Sequence, residues 1–333
     1  MALLSLLLVG GTTFAQTIKT GPSGLTYIEG TNITGVKKLN ISGMQFLKIG
    51  QGARAVGMGD AYTAVSDDIN AIFWNGAGLI HVEKFAYQAN YTRWLAGTEL
   101  YSLAAVYNTH SSRGEVIGIS VINQQVDPIE ETTIFQPDGT GNTVDVGQMA
   151  VGFLYAIKFT DKFSFSAKLN YVQETLFTQS KKSFTIDLGS YFYTGFRSLR
   201  VAMGFKNFGP DNKSRESQFS YLMPLTYNMG LAGEVYGEKD DPVYLTMAVE
   251  SVFPIDYEQR YHLGGELWIQ NTLALRAGWK WNYDLESLAL GAGFKQTVKG
   301  RTFTVDLAYS LLKKRSGVSI FDPPIRVSIG GAF

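Results

Sequence analysis

The chain has no cysteine in 333 residues, which excludes a disulfide framework and thiolate chemistry alike. Histidine is nearly absent. His81, His110 and His262 are scattered, with no HExxH or other paired spacing, so a metal site lacks clustered ligands. Charge is scarce as well: 17% of residues are charged, against about 25% in ordinary soluble proteins. The 29 basic and 29 acidic residues cancel, which removes any electrostatic case for nucleic acid. No run of 18 consecutive apolar residues occurs, as a spanning helix would need. A chain of this kind can cross a membrane only as a closed barrel, because backbone groups in lipid must be paired internally.

What the chain has in abundance is aromatic residues and glycine: 18 Tyr, 21 Phe and 36 Gly. That mixture suits β-structure facing lipid on one side and polar contents on the other. A large soluble all-β protein would share it, so composition alone does not decide. The opening MALLSLLLVGGTTFAQ carries one short apolar run and then small residues. It reads as a secretory signal over 1–15, cleaved after Ala15 with Thr13 three positions before the cut. No Lys or Arg precedes the run, as in a chain whose true start lies upstream. Residues 16–84 form an N-terminal segment without alternation, in which Asp67–Phe73 reads as a short helix.

From Phe85 onward apolar residues recur at period two, the mark of a half-buried strand. In Lys162–Val172, Phe163, Phe165, Ala167, Leu169 and Tyr171 share one face, and Lys162, Ser164, Ser166, Lys168 and Asn170 the other. Thr302–Leu311 sets Phe303, Val305, Leu307, Tyr309 and Leu311 against Thr302, Thr304, Asp306 and Ser310. Near Tyr261–Ile269, the residues Tyr261, Leu263, Leu267 and Ile269 oppose His262, Glu266 and Gln270. Fourteen such strands fit between 85–94 and 323–333, among them 162–173 and 182–194, each near the length a tilted membrane strand needs. Connections after even-numbered strands are short; Val126–Val146, Gly209–Met223 and Lys313–Asp322, after odd-numbered ones, are long. That sorting is the asymmetry of outer-membrane barrels. The expected fold is therefore all-β, a fourteen-stranded antiparallel transmembrane barrel over 85–333 with a plug segment over 16–84 containing a short helix. Tyr91 and Trp94, Tyr191 and Tyr193, and Trp279 and Trp281 are placed to form interfacial girdles. Phe333 ends an amphipathic last strand and is read as the insertion signal for the barrel assembly machinery.

The segment FLKIGQGARAVGMGDAYTAVSDDINAIFWNGAGL, Phe46 to Leu79, resembles the opening signature of the PorV/PorQ family of outer-membrane proteins. The matching positions are Gly50, Gly52, Ala53, Arg54, Ala55, Gly57, Met58, Gly59, Ala61, Ala64, Asp67, Asp68, Ala71, Trp74, Asn75, Ala77, Gly78 and Leu79. Gly76 departs from it, standing where the family usually has Pro, which loosens the turn at Asn75. The resemblance implies a barrel like that of the fatty-acid transporter FadL, its lumen plugged by the N-terminal segment. Small residues there let backbone pass close to a wall, and Arg54, Asp67 and Asp68 would meet inward groups such as Lys168, Arg276 and Glu266. The resemblance further implies a non-enzymatic component of type IX secretion in the outer membrane of a Gram-negative bacterium. Such a protein would receive the C-terminal signal domains of cargo and pass them from translocon to attachment complex. Its partners would be those proteins and outer-membrane lipid, with no cofactor. The alternative is a FadL-like transporter of hydrophobic molecules. A barrel enzyme is disfavoured: His262 faces the lumen, but its same-face neighbour Glu266 lies about 13 Å along the strand, and no Ser is placed beside it.

Overall fold

The computed structural model describes residues 17–20, 26–29, 42–109, 111, 114–127, 129–144, 146–176, 179–213, 220–239, 241–313 and 321–333. The expected signal peptide lies outside them. Fourteen antiparallel strands close into one barrel. They are β1 (Phe85–Arg93), β2 (Thr98–Asn108), β3 (Val116–Val126), β4 (Val146–Lys158), β5 (Phe163–Leu176), β6 (Gln179–Tyr193) and β7 (Arg200–Phe208). The second half comprises β8 (Thr226–Tyr236), β9 (Val243–Pro254), β10 (Arg260–Ile269), β11 (Leu273–Trp281), β12 (Glu286–Val298), β13 (Arg301–Leu312) and β14 (Ile325–Ala332). Alternation at the β5–β6 hairpin fades at 173, yet backbone pairing runs on to Leu176 and Gln179. At the seam, β14 pairs with β1 from Ile325 opposite Arg93 to Ala332 opposite Ala86. Phe85 and Phe333 exchange two backbone hydrogen bonds of 2.9 Å just beyond it, with their rings 5.1 Å apart.

Burial is inverted relative to a soluble protein. On β11, Leu273, Leu275, Trp279 and Trp281 are exposed, whereas Arg276 and Lys280 are buried. The same holds on β5, where Ser164, Ser166, Lys168 and Asn170 point inward and Leu169 outward. A one-residue slip would turn Arg276 and Lys280 into lipid, at about 2–4 kcal/mol each near the midplane, so patterning fixes the register. The girdle reading needs correction. Trp279 and Trp281 do face outward, and Tyr91 pairs with Tyr101. Tyr191 is buried against His81, and Tyr193 also packs on that ring. Trp94 lies under the buried Arg326 guanidinium. Cationic and ring partners in the lumen hold these aromatics, and strand-end position alone does not reveal them.

Residues 42–84 cross the lumen as a plug. Ser42 bridges Leu222 on the side of the long connections, and the segment leaves on the short-turn side as β1. It contains two short helices, α1 (Ala53–Gly57) and α2 (Ala71–Trp74), and 3₁₀ turns at Gln45–Lys48 and Gly76–His81. The helix expected over Asp67–Phe73 is thus confined to its second half. Asp68 Oδ1 accepts the Asn70 amide at 2.8 Å and turns the chain before α2 begins.

The plug backbone lies directly on the wall. Gly59 adopts φ +64°, and a Cβ on Gly278 of β11 would sit 2.1 Å from the Met58 carbonyl carbon. The atoms nearest that Cβ, Met58 C and O and Gly59 N, all belong to the plug, so a side chain there strikes the plug first. Gly278→Val is expected to keep the heat-modifiable band of a folded barrel on electrophoresis while making residues 53–62 cleavable by added protease. A plug as resistant as the wild type would refute this close packing.

Candidate functional site

The plug is held by charged side chains from both partners. Arg54 in α1 donates from Nε and Nη2 to the two carboxylate oxygens of Glu266, at 2.8 and 2.6 Å. Its Nη1 donates to Asp67 at 2.7 Å and Asp68 at 2.9 Å. Glu266, on β10, faces Arg276 on β11 and also accepts from its Nε at 2.6 Å. Arg276 reaches across β12 to Asp306 on β13, again at 2.6 Å. The path is open because residue 293 is glycine: a Cβ there would lie 2.4 Å from Asp306 Oδ1. Lys239, in the turn after β8, pairs with Asp67. Bidentate and charge-assisted geometry makes these the strong members of the contact set. Arg54 thus meets a lumen carboxylate, Glu266, as expected, but the two cations do not reach the plug acids: Arg276 is bound to wall carboxylates, and Lys168 donates to the Ile72 carbonyl at 3.0 Å.

A second anchor uses Glu250 of β9, which is 1% exposed. Its carboxylate accepts the backbone amides of Tyr62 and Thr63 at 3.0 and 2.9 Å, the Thr63 hydroxyl at 2.8 Å and Asn228 Nδ2 at 2.9 Å. Lys280 pairs with Asp60 and Glu286, and His262 bonds the Asp60 carbonyl and the Tyr283 hydroxyl. Further on, Asn75 Nδ2 donates to the carbonyls of Thr63 and Ser190, and Ser164 Oγ donates to that of Ala77. Gly76 is not loose: Asn75 Oδ1 accepts the Ala77 amide, and a Cβ on Gly76 would lie 2.3 Å from Leu154. The remaining signature residues are interior. Gly50 lies against Asp60, Val56 and Trp74, and Gly52 precedes α1 beside Asn70. Gly57 abuts Gly291, Met58 is fully buried, and Trp74 Nε1 donates to the Gln51 carbonyl at 2.8 Å.

Sequence reasoning missed Glu250, Lys280 and Lys206 as site residues, although each lies on a polar strand face. It also missed the strap over Ser42–Lys48. There Ser42, Gln45 and Lys48 all donate to Asp256, in the connection after β9. Met44 and Phe46 pack on Ala150, Val172 and Met223. Burial would raise the Asp256 carboxyl, but the hydrogen bonds from Lys48, Ser42 and Gln45 outweigh it and hold it below its usual range. Asp67 is likewise held well below that range by Arg54 and Lys239, against its burial.

The plug divides the lumen into two cavities. On the loop side a cavity of about 80 Å³, bounded by Leu47, Ile49, Phe73, Trp74, Lys168 and Lys206, adjoins a vestibule of about 650 Å³. On the turn side a cavity of about 230 Å³ lies among Ile69, Val82, Tyr244, Trp268, Phe294 and Ala332. No group of three or more metal-ligating side chains assembles among the described residues.

No family model and no curated protein matches this sequence. Solved structures do match it in fold. The monoaromatic hydrocarbon channel CymD superposes with a TM-score of 0.58 at 13% identity, covering 86% of this chain and 98% of that one. The P. putida toluene transporter TodX gives 0.55 at 12% identity, with 85% and 96% covered. A Pseudomonas aeruginosa FadL homologue gives 0.50 at 10% identity, with 89% and 99% covered. The likeness to these structures is one of fold.

Two outcomes follow from these anchors. Arg54→Ala leaves Glu266 and Asp67 short of a buried partner, a change that costs about 3–5 kcal/mol. It should lower the unfolding midpoint in detergent and expose the plug to protease, whereas Arg54→Lys should recover only part of the loss. Asp67 and Asp256 both have depressed folded-state values, so their ties are complete above about pH 4, the ordinary carboxylate value. Those ties are lost as pH falls through the lower folded values. Planar-bilayer conductance of the wild type should therefore stay closed at neutral pH and rise only under strong acid.

Proposed function

We propose that this barrel is a plugged outer-membrane conduit for small hydrophobic molecules. The observation that carries the reading is the division of the lumen into two partly apolar cavities by a layer fastened through side-chain bonds. Such a layer can rearrange without opening the sheet. A solute entering the vestibule meets Leu47, Ile49, Phe73 and Trp74 on the loop-side face of the plug, and Ile69, Tyr244, Trp268 and Phe294 in the cavity on its turn side. The fold shared with CymD and TodX, a hydrocarbon channel and a toluene transporter, supports the same direction.

A second reading rests on two other observations. The Gly50–Leu79 signature resembles PorV/PorQ proteins, which act in type IX secretion. The connection between β3 and β4 also carries a small hairpin whose tip, Ile134 and Phe135, is 95% and 94% exposed, with Asp127, Glu130, Glu131 and Asp138 nearby. Such a tip suits a protein partner, and here that would be cargo signal domains or the translocon.

Deletion separates the two. The conduit reading expects slower uptake of toluene or a long-chain fatty acid by the deleted strain, restored by the wild-type gene. Unchanged uptake together with loss of secreted surface proteins would discard the conduit in favour of the secretion role, and affinity purification from native membrane should then recover a large translocon barrel.

A further inference from the structure

The loop-side cavity brings together two lysines to which, among the described residues, no carboxylate is directly bonded. Four cations line it, Lys48, Lys168, Lys206 and Arg260, against two acids, Asp60 and Asp187. Lys48 is matched by Asp256, and Asp60 by Lys280. Arg260 is held between the rings of Tyr257 and Tyr283, at 4.4 and 4.2 Å from their centroids. That leaves Lys168 on β5 and Lys206 on β7, with Asp187 on the strand between them. Asp187 stands directly opposite Lys168, yet its oxygens accept from Asn170 Nδ2 at 2.9 Å and the Asn207 amide at 2.6 Å. Among the described residues neither lysine has a carboxylate within 4.0 Å. Lys168 Nζ spends one hydrogen on the Ile72 carbonyl and lies 5.4 Å from the Phe73 ring centre. Lys206 Nζ lies 5.2 Å from that of Trp74. Asp187 and Glu250 act on these ammonium groups only through space, and buried donors left unbonded favour an acceptor that reaches both. The rings of α2 beside them offer flat apolar contact.

We propose that this cavity is a binding subsite for a small aromatic carboxylate, its charged end between Lys168 and Lys206 and its ring against Phe73, Trp74 and Ile49. The inference rests on the reading of the lumen as a conduit and narrows what that conduit admits. Lys168 also donates to the Ile72 carbonyl, so the subsite shares one residue with the ties of the plug.

The test is equilibrium binding to the purified full-length barrel in detergent, read by isothermal titration, with benzoate, toluene, octanoate and inorganic phosphate as separate probes. Benzoate should bind tightest. Lys206→Met should weaken it about tenfold or more, the loss of one charge-assisted bond, with toluene unaffected. Lys206 makes no hydrogen bond to the plug among the described residues, and an unchanged unfolding midpoint would confirm that the variant folds. Lys168→Met should weaken benzoate similarly and also raise plug cleavage. Toluene binding as well as benzoate, or benzoate indifferent to both lysines, would overturn the proposal. Equal affinity for phosphate would overturn its aromatic part, and tighter octanoate its size class. Binding is read without transport, so benzoate bound by a barrel that carries nothing would sink the conduit and leave the subsite standing.

Discussion

The structure depends on a shared burial problem. A fourteen-stranded barrel has a lumen too wide for its own side chains to fill, and its inner face must be polar because its outer face is given to lipid. Glu266 and Glu250 would each be a buried carboxylate short of partners if the lumen held only wall. The plug supplies Arg54 to one, and backbone amides and a hydroxyl to the other. Conversely Arg54 could not be buried in a free N-terminal segment. Wall and plug each carry half of a set of bonds that neither can complete alone, and breaking one half strands a charge in the other.

This explains what the sequence disclosed and what it withheld. Strand positions were legible because lipid enforces a strict period of two, and no inward charge can change sides without large cost. The row Arg276, Gly278, Lys280 against Leu275, Trp279, Trp281 announces a wall strand unaided. Partners inside the lumen obey no such period. Glu266 meets Arg276 because β10 and β11 are adjacent, a local fact, but it meets Arg54 across 212 residues of chain. The small residues from Gly50 to Gly59 signalled close approach without naming Gly278 or Gly291 as the surface approached. Helix α1 went unseen since Ala53–Gly57 carries no apolar stripe. Aromatics misled at Trp94 and Tyr191, where an inward cation or ring held a side chain that strand-end statistics assign to the interface.

The plug is fastened unevenly along its length. Its middle is tied by multiple buried charged bonds to β9, β10 and β11. The entrance at Ser42–Lys48 converges on the single carboxylate of Asp256, in a connection and not a strand. Beside α2, Lys168 holds the Ile72 carbonyl by a single hydrogen bond, and near the turn-side exit Ser164 does the same for Ala77. A molecule arriving from the loop side therefore meets a weakly fastened part first, then the charged middle, then a weakly tied exit.

The seam between β14 and β1 has a topological consequence. The plug crosses from the loop side to the turn side and continues without interruption into β1, while β14 closes on β1 from the far end of the chain. A segment pulled through a finished ring would have to pass its glycine-lined wall at van der Waals distance while breaking every ion pair on the way. If β14 docks last, the earlier residues can first lie along the open concave sheet, and zipping the seam then encloses them. Held in this way, the plug is captured as a rod is by a closing sleeve, and it needs no covalent tether beyond Phe85.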